Sequence, residues 1–314
     1  MRRKSLFSAV LLFGILSSCA SLHKPTRVWN PPDYYAPEKY AEIEGIKICY
    51  LEAGEDNPQS IVFVHGWSGN ALNWWDQFEY FKDRYHILVL DHPGHGKSEK
   101  PKDFDYSIPS FARVVVELMD YVGMNQAVVV GNSMGGAIAT YLAIYYPERV
   151  EKLVLSDSAG VKVKSPLVGV VDLASPSAIK MLGVTSHRQY PGDNPKQKAR
   201  AEFSASYKNT PEELPYLKAL EKSIKQTVAI DLTDQLNQIQ APTLIIWGDN
   251  DPTVPFKTAY VFTEHIPQSQ LYVVKKGGHT PMMSKPKEFN CVLEAFIEGR
   301  DLSFCHNLAE GNKR

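Results

Sequence analysis

The feature that most constrains this chain is a series of short, unbroken apolar runs rich in β-branched residues. Residues 60–65 read SIVFVH, and the same kind of run recurs at 86–90, 127–130, 152–155, 243–247 and 271–274. A run of that length without polar alternation fits a strand buried on both faces, as the strands of parallel sheets are. Residues 46–51 alternate instead and read as an early strand. Helical periods fill the intervals. Phe111, Val114, Val115, Leu118, Met119 and Val122 recur at spacings of three and four, and Gly123 supplies the stop. Further helices are expected at 134–146, before Pro147, and at about 287–297. Strand–helix alternation predicts an α/β fold, a mostly parallel central sheet flanked by helices.

One interval departs from the pattern. Between Ser156 and Thr243 more than 80 residues pass without a clear buried strand. That is too long for a structureless loop in a compact domain. Leu, Ile, Val and aromatic residues recur through it, and 212–232 is amphipathic. Residues from about 161 to 237 are therefore expected to form a helical cap inserted between two core strands.

The segment Gly131-Asn132-Ser133-Met134-Gly135-Gly136 contains G-x-S-x-G between a strand-like run and a helix-like one. Turning sharply from strand to helix forces unusual backbone angles and close approach of neighbouring chain. Gly131 and Gly135 remove the side chains that would clash. With this context the sequence resembles the α/β-hydrolase superfamily over about residues 41–300, and further motifs agree in order. Trp247-Gly248-Asp249-Asn250-Asp251-Pro252 resembles the superfamily's W-G-x-x-D segment, and Gly277-Gly278-His279 its G-H.

The resemblance implies Ser133 as nucleophile, His279 as base and Asp251 as acid, in the chain order Ser…Asp…His. Asp249 and Asp157 are the rival acids. The chemistry needs all three roles: a serine hydroxyl is a poor nucleophile until a base takes its proton, and a carboxylate fixes the imidazole tautomer. His65-Gly66-Trp67 resembles the superfamily's H-G turn, which implies an oxyanion hole from the backbone N–H groups of Trp67 and Met134. His92 and His95 fall in Asp91-His92-Pro93-Gly94-His95-Gly96-Lys97-Ser98, which resembles a structural D-x-x-G-x-G-x-S loop. His23, His187, His265 and His306 read as solvated surface residues.

No cofactor or metal is expected. His92-x-x-His95 lacks the H-E-x-x-H spacing, and neither a dinucleotide fingerprint nor a P-loop is present. The balanced charge, Lys+Arg 34 against Asp+Glu 35, argues against a nucleic-acid binder. The resemblance implies a serine hydrolase of carboxylic esters, with a small-molecule or lipid ester as substrate. Two alternatives stay open: C–C bond hydrolysis by the same fold, and a non-catalytic surface binding protein.

The N-terminus carries an address. Met1-Arg2-Arg3-Lys4 is basic, and residues 6–16 are apolar but for Ser8 and Gly14. That run suits a secretory h-region better than a membrane span. Leu16-Ser17-Ser18-Cys19 resembles the bacterial lipobox, which implies removal of 1–18 and lipidation of Cys19. Ala20 in the next position implies outer-membrane sorting. A secreted protein cut nearby, a buried N-terminal helix and a membrane anchor are the other readings. Removing 1–18 deletes three positive charges and leaves 296 residues with a net charge of −4. The Pro-rich stretch 19–40 reads as an extended tether and a surface-hugging lead-in, before a hydrolase domain at 41–314. Cys49 reads as a small buried residue. Cys291 and Cys305 sit 14 apart, and the sequence leaves open whether they pair.

Overall fold

The computed structural model describes residues 26–162, 168–186 and 193–305. The signal-like segment, Cys19, His23, His187 and His306 lie outside them. Eight strands among the described residues form one sheet: β1 (Lys39–Ile43), β2 (Ile46–Ala53), β3 (Ser60–Val64), β4 (His86–Leu90), β5 (Ala127–Asn132), β6 (Val150–Ser156), β7 (Thr243–Gly248) and β8 (Ser269–Val274). Their order is β1-β2-β4-β3-β5-β6-β7-β8. The pairs β1/β2 and β2/β4 are antiparallel, and the other five are parallel. The α/β class read from the apolar runs is the observed one.

Every residue of β3, β4, β5 and β7 is buried, because helices cover both faces. Alternate side chains divide between the two layers. Ile61 and Phe63 pack with α1 (Trp75–Phe81), whereas Val62 and Val64 pack with α2 (Ile108–Tyr121) and α3 (Met134–Tyr145). Full burial of each large apolar side chain contributes roughly 1.5–3 kcal/mol. Ser107 starts α2: its hydroxyl accepts from the Ser110 N–H, a cap worth about 1 kcal/mol.

Between β6 and β7 the chain leaves the sheet and forms α4 (Pro176–Met181), α5 (Pro195–Ser206) and α6 (Glu213–Ala229). The two ends of this insert meet, since the Leu232 N–H donates to the Gly160 carbonyl at 2.8 Å. After β7 come α7 (Thr258–His265), then β8, α8 (Pro281–Ser284) and α9 (Pro286–Ile297). α9 joins α1 on the second face, and α7 lies in the same layer as α2 and α3. Cys291 of α9 is disulfide-bonded to Cys305, which settles the pairing that the sequence leaves open. Cys49 is free and buried. Among the described residues no helix is long and apolar enough to cross a membrane.

One feature differs from the sequence reading. β1 begins at Lys39, inside the stretch read as tether. Its alternation, with only Ala41 and Ile43 buried, is the weak signal of an edge strand. From Thr26 onward that stretch is fastened down. The Thr26 and Arg27 N–H groups donate to the Asn209 carbonyl at 3.0 and 3.1 Å. Trp29 stacks on Tyr207 and Tyr34 on Phe203, with centroids 5.3 and 5.4 Å apart, and Tyr35 stacks on Trp75. The lead-in thus ties the insert to the core.

Candidate active site

Ser133 stands between β5 and α3 with φ +56° and ψ −119°, a conformation that a non-glycine residue rarely holds. Close packing enforces it. A Cβ at Gly131 would fall 2.2 Å from the Gly135 carbonyl oxygen, and one at Gly135 would fall 2.1 Å from that of Val64. Both glycines are needed for the turn to press against β3. The Met134 N–H opens α3 and so has no acceptor within that helix.

His279 follows β8, and its Nδ1 lies 2.8 Å from Asp251 Oδ2. Asp251 follows β7 and its side chain is fully buried. The other carboxylate oxygen accepts from the Thr253 and Val254 N–H groups at 2.7 and 3.1 Å. With the carboxylate accepting, the imidazole proton sits on Nδ1, and Nε2 keeps a lone pair for a substrate-side proton. Ser133 and His279 line one cavity of about 450 Å³, together with Gly66, Trp67 and Asn132. It opens beyond the carboxyl ends of β3 and β5, where the strand order reverses and α/β sheets hold their ligands.

A family model described as the alpha/beta hydrolase fold matches residues 59–286. The chain belongs to this family. It is 31% identical to Lipase 3 of Moraxella sp. (strain TA144) over 273 residues, 81% of this chain and 82% of the relative. It is 28% identical to the 2-hydroxy-6-oxo-6-phenylhexa-2,4-dienoate hydrolase of Comamonas testosteroni, covering 82% of this chain and 94% of that one. A crystal structure described as a membrane phospholipase A and bacterial virulence factor superposes with a TM-score of 0.70 at 29% identity. That likeness covers 84% of this chain and 86% of the other.

In this α/β hydrolase the rival acids are set apart by their contacts. Asp157, after β6, accepts from the Gly248 N–H at 2.9 Å and from the Ser156 hydroxyl at 3.0 Å. Burial, and then the nearby Asp251 charge, push its carboxyl well above the usual range. Asp157, Asp251 and His279 bring ligand atoms within 4.8 Å of one another. The hydrogen bonds just described already engage all three. Asp249 does not reach the imidazole by any hydrogen bond found.

The H-G turn is held from below. His65 Nε2 accepts from the His92 N–H at 3.1 Å, so its Nδ1–H donates to the Gly66 carbonyl at 2.8 Å. Gly66 touches the elbow, because a Cβ there would meet the Ser133 Cβ at 3.0 Å. His65, His92 and His95 are all fully buried, and their rings cluster around Phe111. Burial pushes His65 down to about 3 and His95 to about 4, and His92 well down. They are neutral framework groups. His265 is exposed and bonds the Val261 carbonyl of its own helix.

Two residues of the site escape the sequence reading. Asn132 Nδ2 donates to the Ser156 carbonyl at 3.1 Å and to the His279 carbonyl at 3.0 Å, so it ties the base loop to the elbow. Its place beside Ser133 was the only signal. Arg200 comes from α5 of the insert and lines the cavity, with its Nε donating to the Leu72 carbonyl at 2.9 Å. Nothing local marks it, because the contact spans 128 positions.

Proposed function

We propose that the chain is a serine hydrolase of carboxylic esters, lipase-like or esterase-like, held on the bacterial cell envelope by lipid on Cys19. One observation carries the catalytic part: the strained Ser133 shares a cavity with His279, whose far ring nitrogen meets Asp251 at 2.8 Å. Ser133 Oγ attacks the ester carbonyl while His279 Nε2 takes its proton, and Asp251 stabilises the imidazolium. The developing oxyanion rests on the N–H groups of Trp67 and Met134. His279 then protonates the leaving alcohol. Water, activated by the same base, releases the acid from the acyl-enzyme. Losing one oxyanion donor in another serine hydrolase costs roughly 10²–10³ in turnover, so the turn at Gly66 matters along with the triad. Trp67, Ile224 and Met283 give the cavity apolar walls suited to an acyl chain.

The lipase named among the relatives supports this reading, and the lipobox-like Cys19 supports the anchor and its outer-membrane destination. Ser133→Ala tests the mechanism. The variant should keep its melting temperature and lose nearly all turnover of a short p-nitrophenyl ester, and a fluorophosphonate should label only the parent. A pure Ser133→Ala sample with parental turnover would sink the serine mechanism.

A second reading is C–C bond hydrolysis. It is favoured by the likeness to the Comamonas dienoate hydrolase, 28% identical over 82% of this chain. Relative rates on a vinylogous 1,5-diketone acid and on a simple ester decide between the two.

A further inference from the structure

Four large apolar side chains stand in solvent on or beside the insert: Val28 (87% exposed), Leu173 (69%), Met181 (81%) and Leu182 (74%). Elsewhere the described surface exposes large apolar groups mainly as tyrosines, whose hydroxyls suit water. Leu173, Met181 and Leu182 lie within ten residues of one another, on and next to α4. Direct contacts link α4 to the place where the lead-in begins. Lys180 Nζ pairs with Glu213 Oε2 at 2.9 Å, and the same oxygen accepts from the Asn209 N–H at 3.0 Å. The Asn209 carbonyl in turn holds Thr26 and Arg27, next to Val28.

The length of chain outside this attachment fixes what lies opposite. Only seven residue steps separate Cys19 from Thr26, a reach of at most about 25 Å when fully extended. A Cys19 held in a bilayer therefore keeps Asn209 and its neighbours close to that bilayer. Charge agrees. Residues 161–237 hold 11 Lys and Arg against 8 Asp and Glu, a net +3 in a chain whose total is −1. An insert of net positive charge that exposes Leu and Met suits an anionic lipid interface.

We propose that Val28, Leu173, Met181 and Leu182 form a bilayer-contact surface that seats the insert in the lipid interface. The inference rests on the lipid anchor proposed above. The acyl chains on Cys19 supply the attachment, and this surface sets which face of the insert meets the lipid. Seating α4 also brings α5 and α6, which contribute Arg200 and Ile224 to the cavity, next to acyl chains in the membrane.

The test uses full-length lipidated protein on vesicles of phosphatidylethanolamine and phosphatidylglycerol. Met181→Cys adds one reactive thiol, since Cys49 is buried and Cys291 is bonded to Cys305. An environment-sensitive dye at 181 should shift to the blue and be quenched by bromines placed on the acyl chains. A dye at Tyr121→Cys, at the end of α2 that leads to the amino-terminal edge of the sheet, should do neither. In parallel, Met181→Lys with Leu182→Lys should lower hydrolysis of vesicle-borne ester by about tenfold or more, with soluble short-ester turnover unchanged. The mass of the N-terminal peptide separates the two claims. An acylated protein whose 181 dye stays water-exposed overturns the docking surface alone. An unacylated Cys19 overturns the anchor and the docking with it. A blue shift that follows protein concentration, without lipid quenching, assigns the surface to a second copy and also overturns the proposal.

Discussion

The Tyr34 hydroxyl donates to Asp91 Oδ2 at 2.7 Å, joining the N-terminal lead-in to the loop after β4. Asp91 Oδ1 accepts from the Ala71 N–H at 2.8 Å, and Oδ2 also accepts from the Lys97 N–H at 2.7 Å. One buried carboxylate therefore holds the lead-in, its own loop and the segment that follows Trp67. The ring of Tyr34 meanwhile stacks on Phe203 of α5. Tyr34→Phe keeps the ring and removes the donor. It should cost about 1–3 kcal/mol, because Asp91 is fully buried and loses one of three donors. Chemical denaturation reads this directly, and an unchanged midpoint would refute the role given to the bond.

The two neighbouring acids should respond differently to amide substitution. Asp251→Asn puts an amide against His279 Nδ1 and upsets the tautomer, a change that costs about 10⁴ in turnover in a serine protease. Asp157 is held toward its neutral form by burial and by the Asp251 charge, so Asp157→Asn should cost less than about tenfold. Steady-state kinetics on a short ester checks both. Equal losses would mean that the acid role is shared.

The buried histidines make stability depend on pH with a definite sign. His95 titrates near 4 in the fold against about 6.5 in the unfolded chain, so the unfolded chain binds its proton first. Its contribution is intact above pH 6.5 and is lost as pH falls toward 4. Asp91, pushed up to about 6 by burial, works the other way between pH 6 and 4. His95→Asn keeps a donor for the Pro93 carbonyl and removes the proton site. Between pH 7 and pH 5 the stability difference should move by about 2 kcal/mol in favour of the variant. Urea titrations at the two pH values measure it, and a constant difference would refute the assignment.

The disulfide between Cys291 and Cys305 closes a short loop that fastens the segment after α9. By loop-closure entropy alone it contributes about 3 kcal/mol. Cys305→Ser should lower the melting temperature by several degrees, and reductant should then change it no further. Ester turnover should persist in the cold, since neither cysteine lines the cavity.

Much of this arrangement is legible in the sequence, for identifiable reasons. β3, β4, β5 and β7 are buried on both faces, so their apolar runs have no polar interruption. The elbow advertises itself because only glycine fits at 131 and 135. β1 does not, since an edge strand needs few apolar residues. α1 is hidden as well: at seven residues it is too short for the spacing of Trp75, Phe78 and Phe81 to stand out as a period. The contacts of Arg200, Asn132 and Tyr34 are long-range, and no local pattern encodes which side chain will stand opposite. The same holds for the Trp29–Tyr207 stack, where each partner alone is an ordinary aromatic residue.

The hydrogen bond from Leu232 to Gly160 has a consequence for how such a molecule can change. It brings entry and exit of the insert together at one point on the rim of the sheet, while Ser133, Asp251 and His279 all belong to the sheet's own loops. The insert is thus a cassette. A different set of helices spliced between Gly160 and Leu232 would alter which molecules reach Ser133 and leave the reacting groups where they are. The lead-in sets the condition for such an exchange: an incoming cassette must again offer Trp29 and Tyr34 flat aromatic partners, as Tyr207 and Phe203 do here.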